Sequence, residues 1–345
     1  LIETTHISAN GIRQHLRFRR GGPDVVVFVH GNGSDSVFWQ STMAALPENY
    51  TAYAPDLRGY GDTEARPVDA ARSFGSFTTD LVTLIDALQI ESYHLVGHSL
   101  GGGINWELLI KDANRIRSVT MVNPASPFGF GGSKGPDGKM TFEDGASSGA
   151  GVVNPDFVRL LLAKDRSKTE PSSPLNVMNA FYWAPPFVPK DIDDLLEGLL
   201  KMQVGNEFYP GDYVTSLNFP FTAPGKFGQL NAASPLSKQS ILQELTTIES
   251  KPPVLWMRGA KDQIVSDRSL FDTAVHGMSG LIPGYPGAEI CPPQPMVAQT
   301  RFVLEAYAQN GGTYSELLMA HCAHSPYIED PDGFMNVFLP FLEKN

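Results

Sequence analysis

The chain is predicted to fold as an α/β protein, a mostly parallel central sheet with helices on both faces and one long insertion. Three observations predict this. Short apolar runs alternate with helical stretches along most of the length, as a layered parallel sheet requires. The strong turn dipeptide Asn10-Gly11 separates two opening strands. The alternation lapses over residues 127–240 and then resumes, so a segment of different build interrupts the sheet.

In chain order, an antiparallel pair is expected at residues 3–8 and 12–19, joined around Asn10-Gly11. Further strands are read at 24–29, 51–55, 93–96, 116–122, 253–258 and 313–318. Helical stretches between them include Phe77 to Leu88 and Asn105 to Lys111, where apolar residues recur at helical spacing. The interval 127–240 opens on Phe128-Gly129-Phe130-Gly131-Gly132 and continues through Val158 to Leu162, Phe181-Tyr182-Trp183-Ala184-Pro185-Pro186 and Ile192 to Met202, which reads as helices with proline-rich joints. Gly277 to Pro295 reads as an ordered loop: glycine and proline forbid a regular helix, while Leu281, Ile282, Tyr285 and Ile290 call for packing on the body or on the 127–240 insertion.

Composition bounds the function. Lys and Arg number 26 against 37 Asp and Glu, a net charge of −11 with the acids scattered, which argues against nucleic acid as a partner. No apolar stretch approaches the roughly 20 residues that cross a bilayer, and no basic-then-apolar leader opens the chain. The chain starts at Leu1 and not methionine, which leaves room for a removed leader; a cytoplasmic location is favoured over a secreted one. Cys291 and Cys322 are too few for a disulfide scaffold and spaced unlike a zinc site, although a bridge would pin the 277–295 loop near residue 324. No metal set, phosphate-cradling loop or dinucleotide fingerprint is present, so neither a cofactor nor a metal is expected.

Gly97-His98-Ser99-Leu100-Gly101 directly follows the apolar run Tyr93 to Val96 and precedes a helical stretch. A serine between glycines at a strand-to-helix turn is exposed on a strained backbone, the geometry of a nucleophile, whereas the bland reading is a glycine-rich turn with a solvated serine. A hydroxyl needs a base and a group to orient that base. Asp262 follows the apolar run Pro253 to Met257, and His324 follows Tyr314 to Met319, so both lie just beyond strand ends. His30 and His98 read as loop supports and His321 as the rival base. Asp56 and Asp267 are the rival acids, each read as a structural hydrogen-bonder, Asp267 at the start of a helix. Arg58 reads as a loop brace.

The order Ser99, Asp262, His324, together with His30-Gly31-Asn32-Gly33, the Asp56 to Asp62 segment and Glu329-Asp330-Pro331, resembles the α/β-hydrolase superfamily in its lid-bearing branch, over nearly the whole chain. The resemblance implies an α/β-hydrolase core at 1–126 and 241–345 with an inserted helical lid at 127–240. It implies a serine nucleophile at Ser99, an acid at Asp262, a base at His324, and an oxyanion hole built from the backbone N–H groups of Asn32 and Leu100. Trp39, Phe128, Tyr182 and Trp183 are the expected pocket residues. Dehalogenases and epoxide hydrolases of this fold resemble enzymes with aspartate at the position of Ser99, so serine chemistry is expected on a small, apolar ester or lactone. An N-terminal proline aminopeptidase, with a lid carboxylate drawn from Asp191, Asp193, Asp194, Glu197, Glu207 or Asp212, and a C–C bond hydrolase are the alternatives. A ligand-binding protein without turnover is the alternative of another class.

Overall fold

The computed structural model describes residues 1–345. Eight strands form one sheet: β1 (Ile2–Ala9), β2 (Ile12–Arg19), β3 (Asp24–Val29), β4 (Tyr50–Pro55), β5 (Tyr93–His98), β6 (Ile116–Val122), β7 (Val254–Gly259) and β8 (Tyr314–Met319). Their spatial order is β1-β2-β4-β3-β5-β6-β7-β8. β1 and β2 pair antiparallel across Asn10-Gly11, both residues at positive φ, the tight turn that this dipeptide favours. From β4 onward every pairing is parallel. The principal helices are α1 (Gly75–Ala87), α2 (Leu100–Asp112), α3 (Pro155–Leu162), α4 (Pro174–Phe181), α5 (Ile192–Leu200), α6 (Met296–Gln309) and α7 (Pro331–Lys344).

Strand periodicity divides the core into two layers. Val27, Val29, Leu95, Val254 and Trp256 meet Phe77, Leu81, Ile104, Leu108 and Val303 of α1, α2 and α6. The intervening Val26, Phe28, Val96, Leu255 and Met257 meet Phe334, Phe338 and Leu342 of α7. Successive side chains leave a strand on opposite faces, so strands this uniformly apolar must be covered on both.

The stretch between β6 and β7 is less helical than its sequence predicts. Besides α3, α4 and α5 it holds three small two-stranded ribbons, including Tyr213–Thr215 paired with Thr222–Pro224. Its C-terminal side is pinned by Lys238, buried on α2: the ammonium donates to Glu107 at 2.8 Å and to Ser73 Oγ, and sits 3.5 Å from the Phe74 ring centroid. Burial pulls the Lys238 pKa below its ordinary value, and the Glu107 charge opposes that. Removing one partner of a buried pair strands the other. Lys238→Ala is therefore expected to cost about 3 kcal/mol of stability, read as a lower urea midpoint at unchanged slope; an unchanged midpoint would contradict the pairing.

The 277–295 loop is ordered but packs only in part as predicted. Ile282 and Tyr285 join Phe219 and Cys291 in a small apolar cluster, with the Tyr285 and Phe219 ring centroids 5.4 Å apart. Leu281 and Ile290 are exposed, because the loop spans the surface and only one of its sides packs, against Phe219 and Phe142 of the 127–240 insertion. Cys291 and Cys322 are separate, buried free thiols, Cys291 beside Phe219 and Cys322 in the α7 layer, so the bridge considered from sequence does not form. Asp267 begins no helix. Its carboxylate accepts the N–H groups of Val297 and Ala298, capping α6 from a distance of 30 residues in sequence.

Candidate active site

β5 ends at His98, Ser99 takes φ 54° and ψ −115°, and α2 begins at Leu100. A serine rarely occupies such a backbone state, and packing enforces it here. A Cβ on Gly101 would collide with the carbonyl oxygens of Val29 and His30, and one on Gly97 with Asn105 and the Gly101 carbonyl, so both flanking positions admit only glycine. The Ser99 N–H donates to Val122 O and its carbonyl accepts from Gly103 and Ala125, which ties the turn to β6 and α2.

The loops after β7 and β8 bring Asp262 and His324 together. His324 Nδ1 donates to Asp262 Oδ2 at 2.8 Å, with both groups buried. The other Asp262 oxygen accepts the N–H groups of Ile264 and Val265 at 2.7 and 3.1 Å, fixing the carboxylate. A histidine that donates through Nδ1 presents Nε2 as its acceptor. No hydrogen bond joins Ser99 Oγ to His324, a contact that is often long without substrate.

Asn123 also holds this arrangement, and sequence reading missed it. Its amide donates to the carbonyls of His324 and Ala323 at 2.7 and 3.0 Å, and its oxygen accepts the Gly259 N–H at 3.1 Å. The available signal was a polar residue directly after the apolar β6.

The loop after β3 faces the elbow: a Cβ on Gly31 would lie 3.1 Å from Ser99 Cβ. Gly31 O accepts from His30 Nδ1 and Ser34 Oγ, both at 2.8 Å. Because the peptide is planar and trans, fixing this carbonyl turns the Asn32 N–H to the opposite side. Leu100 opens α2, so its N–H has no partner within the helix. The Asn32 side-chain oxygen accepts from Tyr60 Oη at 2.8 Å, and Tyr209 lies against the same side chain.

The rival groups are otherwise engaged. His98 Nε2 donates to His324 O at 2.8 Å, and burial followed by the neighbouring His324 holds its pKa well below the ordinary value. His30 accepts the Leu57 N–H at 3.0 Å and is likewise kept neutral by burial. His321 is exposed. Asp56 binds His15 Nδ1 and the N–H groups of Ser36 and Asp62, and Arg58 braces Asp80 and Pro67 O. His15, Asp56 and Asp62 converge, but the direct His15–Asp56 contact at 2.7 Å makes this a structural knot. Cys322 is no competing nucleophile: burial, with Glu329 and Asp330 behind it, pushes its thiol up to about 12.

Of the four expected pocket residues, Tyr182 reaches the site, its ring centroid 6.4 Å from that of His324. Trp39 does not line open space. The turn capped by Asp35 swings it into the α7 layer, where it stacks on Tyr327 at 4.1 Å between centroids. Phe128 is a buried packing residue that fills the space over Gly138, whereas Trp183, also buried, borders the groove beside Asp262. A groove of 360 Å³, lined by Phe181, Trp183, Ala184, Pro185, Asp262 and Ala323, reaches the edge of the His324–Asp262 pair. Among the carboxylates named from sequence in the 127–240 insertion, Asp193, Asp194, Glu197 and Glu207 are exposed, Asp191 is half-buried before α5, and Asp212 is spent on Phe227 N–H and Asn231.

A family model described as alpha/beta hydrolase fold matches residues 24–273. The chain is 36% identical over 123 residues to Epoxide hydrolase 2 of Siraitia grosvenorii, an alignment covering 35% of this chain and 39% of that protein. The chain thus matches less than half the length of that curated relative. Among solved structures, the enol-lactonase from Burkholderia xenovorans superposes with a TM-score of 0.58 at 19% identity, covering 98% of this chain and 100% of that one. A carboxylesterase from Bacillus subtilis superposes with a TM-score of 0.59 at 15% identity, covering 100% and 93%. At such identities these two likenesses speak for the fold alone. No helix of the chain is long and apolar enough to cross a membrane.

Proposed function

The chain belongs to the alpha/beta hydrolase fold family, and from that premise we propose that it is a serine hydrolase acting on a small apolar ester or lactone. The observation that carries the reading is a serine on a strained elbow, beside a buried His324–Asp262 pair at 2.8 Å. In this reading His324 takes the Ser99 proton as Oγ attacks the carbonyl carbon, and the carbonyl electron pair moves onto oxygen. The N–H groups of Asn32 and Leu100 meet that oxyanion, each such donor being worth about 3 kcal/mol in comparable sites. His324 then protonates the leaving alkoxide as the C–O bond breaks, leaving an acyl group on Ser99. Water, deprotonated by the same imidazole, attacks the acyl carbon, and the proton passes to Ser99 Oγ as the Oγ–C bond breaks and the acid leaves. Asp262 holds the ring and stabilises its cation.

Residues 127–240 serve as the lid in this reading, with 1–126 and 241–345 as the catalytic core. Two contacts support that division: Tyr182 lies over His324, and α5 approaches the loop after β3 where Gly198 meets Asp35. The groove beside Asp262 gives substrate a way in. With Asp193, Asp194, Glu197 and Glu207 exposed and Asp212 spent on Phe227 and Asn231, an amine-binding peptidase is left without support, and serine at the elbow favours acyl over epoxide chemistry.

A panel of p-nitrophenyl esters, lactones, thioesters, prolyl amides and epoxides tests this. Ester or lactone hydrolysis is expected, with Ser99→Ala inactive on it. Opening of epoxides alone, or binding without turnover of any member, would overturn the proposal.

A further inference from the structure

The chain just beyond α4 touches two catalytic loops within three residues. Tyr182 Oη donates to Gly33 O at 3.0 Å and, more weakly, to Asn32 O at 3.4 Å. Two residues on, the Ala184 N–H donates to Glu329 Oε2 at 2.7 Å, and the other Glu329 oxygen accepts the Ala323 N–H at 2.7 Å. Gly33 adjoins Asn32, and Ala323 adjoins His324. One short strap is thereby hydrogen-bonded to the loop expected to carry the oxyanion donor and to the loop carrying the base.

We propose that residues 182–184 form a clasp that sets these two loops relative to each other, with Tyr182 and Glu329 as positioning residues. This rests on the acyl-enzyme reading above.

The local chemistry gives each contact a purpose. Gly31-Asn32-Gly33 is a glycine-flanked loop, and Gly33 has φ 59°, so the backbone has little stiffness of its own. His30 and Ser34 fix the peptide bearing the Asn32 N–H, while Tyr182 fixes the two carbonyls that follow. The Tyr182 ring is itself held, its centroid 6.2 Å from that of Phe38 and 6.0 Å from that of Trp183. Glu329 spends both oxygens on N–H donors, so it acts as a bridge and not as an acid. Burial raises its pKa and these N–H bonds oppose the rise. A donor displaced by a fraction of an ångström meets the tetrahedral oxygen less well, although the ground-state carbonyl is bound as before.

The test compares parent, Tyr182→Phe, Glu329→Gln, the double variant and Ser99→Ala, each checked for folding by thermal unfolding. The probes are the best p-nitrophenyl ester of the panel, the carboxylate it releases, and phenyl trifluoromethyl ketone. On this ketone Ser99 Oγ would add to the carbonyl carbon, its proton passing to His324 and the carbonyl pair becoming an oxyanion.

Tyr182→Phe is expected to lower kcat and the affinity for the ketone together, by about tenfold or more, with KM and carboxylate inhibition within about twofold. Glu329→Gln should do likewise, and the double variant should lose less than the product of the single losses, because a strap freed at one end no longer couples the loops. If Glu329→Gln fails to fold, Glu329→Asp takes its place. Unchanged kcat and ketone affinity, a rise in KM alone, or multiplicative losses in the double variant would each overturn the clasp. The underlying reading has its own control: ketone binding that persists in Ser99→Ala removes the serine assignment and the clasp with it, whereas an inert Ser99→Ala beside a parent-like Tyr182→Phe removes only the clasp.

Discussion

Asp262→Asn is expected to lower turnover by about 10⁴ while leaving the fold intact, because asparagine can offer an N–H where the carboxylate now accepts from His324 Nδ1. The imidazole would then be held with Nδ1 as acceptor and Nε2 protonated, unable to take the Ser99 proton. His324→Ala should cost at least as much, since it removes the base itself. The two changes should also be far from independent. Once His324 is gone Asp262 has no ring to orient, so the double variant is expected to resemble His324→Ala alone. Single-turnover rates on a chromogenic ester, with circular dichroism to confirm folding, measure this. Losses that multiply would mean that the two residues act separately, and the 2.8 Å contact between them would then be structural.

Ser99→Ala is expected to abolish turnover and covalent labelling by a fluorophosphonate. The second consequence is the more specific, because the reagent phosphonylates an activated hydroxyl and is indifferent to substrate preference. Alanine at this position keeps the elbow, whose path is fixed by the Ser99 carbonyl bonds to Gly103 and Ala125 N–H and by the collisions that exclude side chains at Gly97 and Gly101. The variant should therefore unfold at a temperature close to that of the parent. Labelling that survives at another serine would dismiss Ser99, whatever became of activity.

Much of this site is legible in sequence because its parts are local. An apolar strand followed by Gly97-His98-Ser99-Leu100-Gly101 specifies an elbow without reference to the rest of the chain, and Asp262 and His324 each follow their own strand. Parallel strands then deliver such residues to one edge of the sheet, where ligands of α/β folds bind. The strand limits were legible for the same reason, period and turn chemistry being short-range. What escaped is what depends on distant partners. Asn123 supports His324 across 201 positions, and Glu329 meets Ala184 across 145. Nothing beside Asn123 in sequence announces its contacts. Asp267 has the composition of a helix start, yet the helix it caps lies 30 residues on. Trp39 reads equally well as pocket wall or core, and only the turn at Asp35 decides for core. In the insertion, glycine and proline mark the breaks correctly, but ribbons of two or three residues per strand are too short for any periodicity to show.

Where the acyl group resides during turnover separates serine catalysis from every alternative. Rapid acid quench of the parent with a p-nitrophenyl ester, followed by proteolysis and tandem mass spectrometry, locates it directly. The expected result is the acyl mass on Ser99, formed at the rate of the p-nitrophenol burst and absent from Ser99→Ala. An acyl or alkyl adduct on a carboxylate or on any other residue, or a p-nitrophenol burst in the parent with no adduct on Ser99, would contradict it.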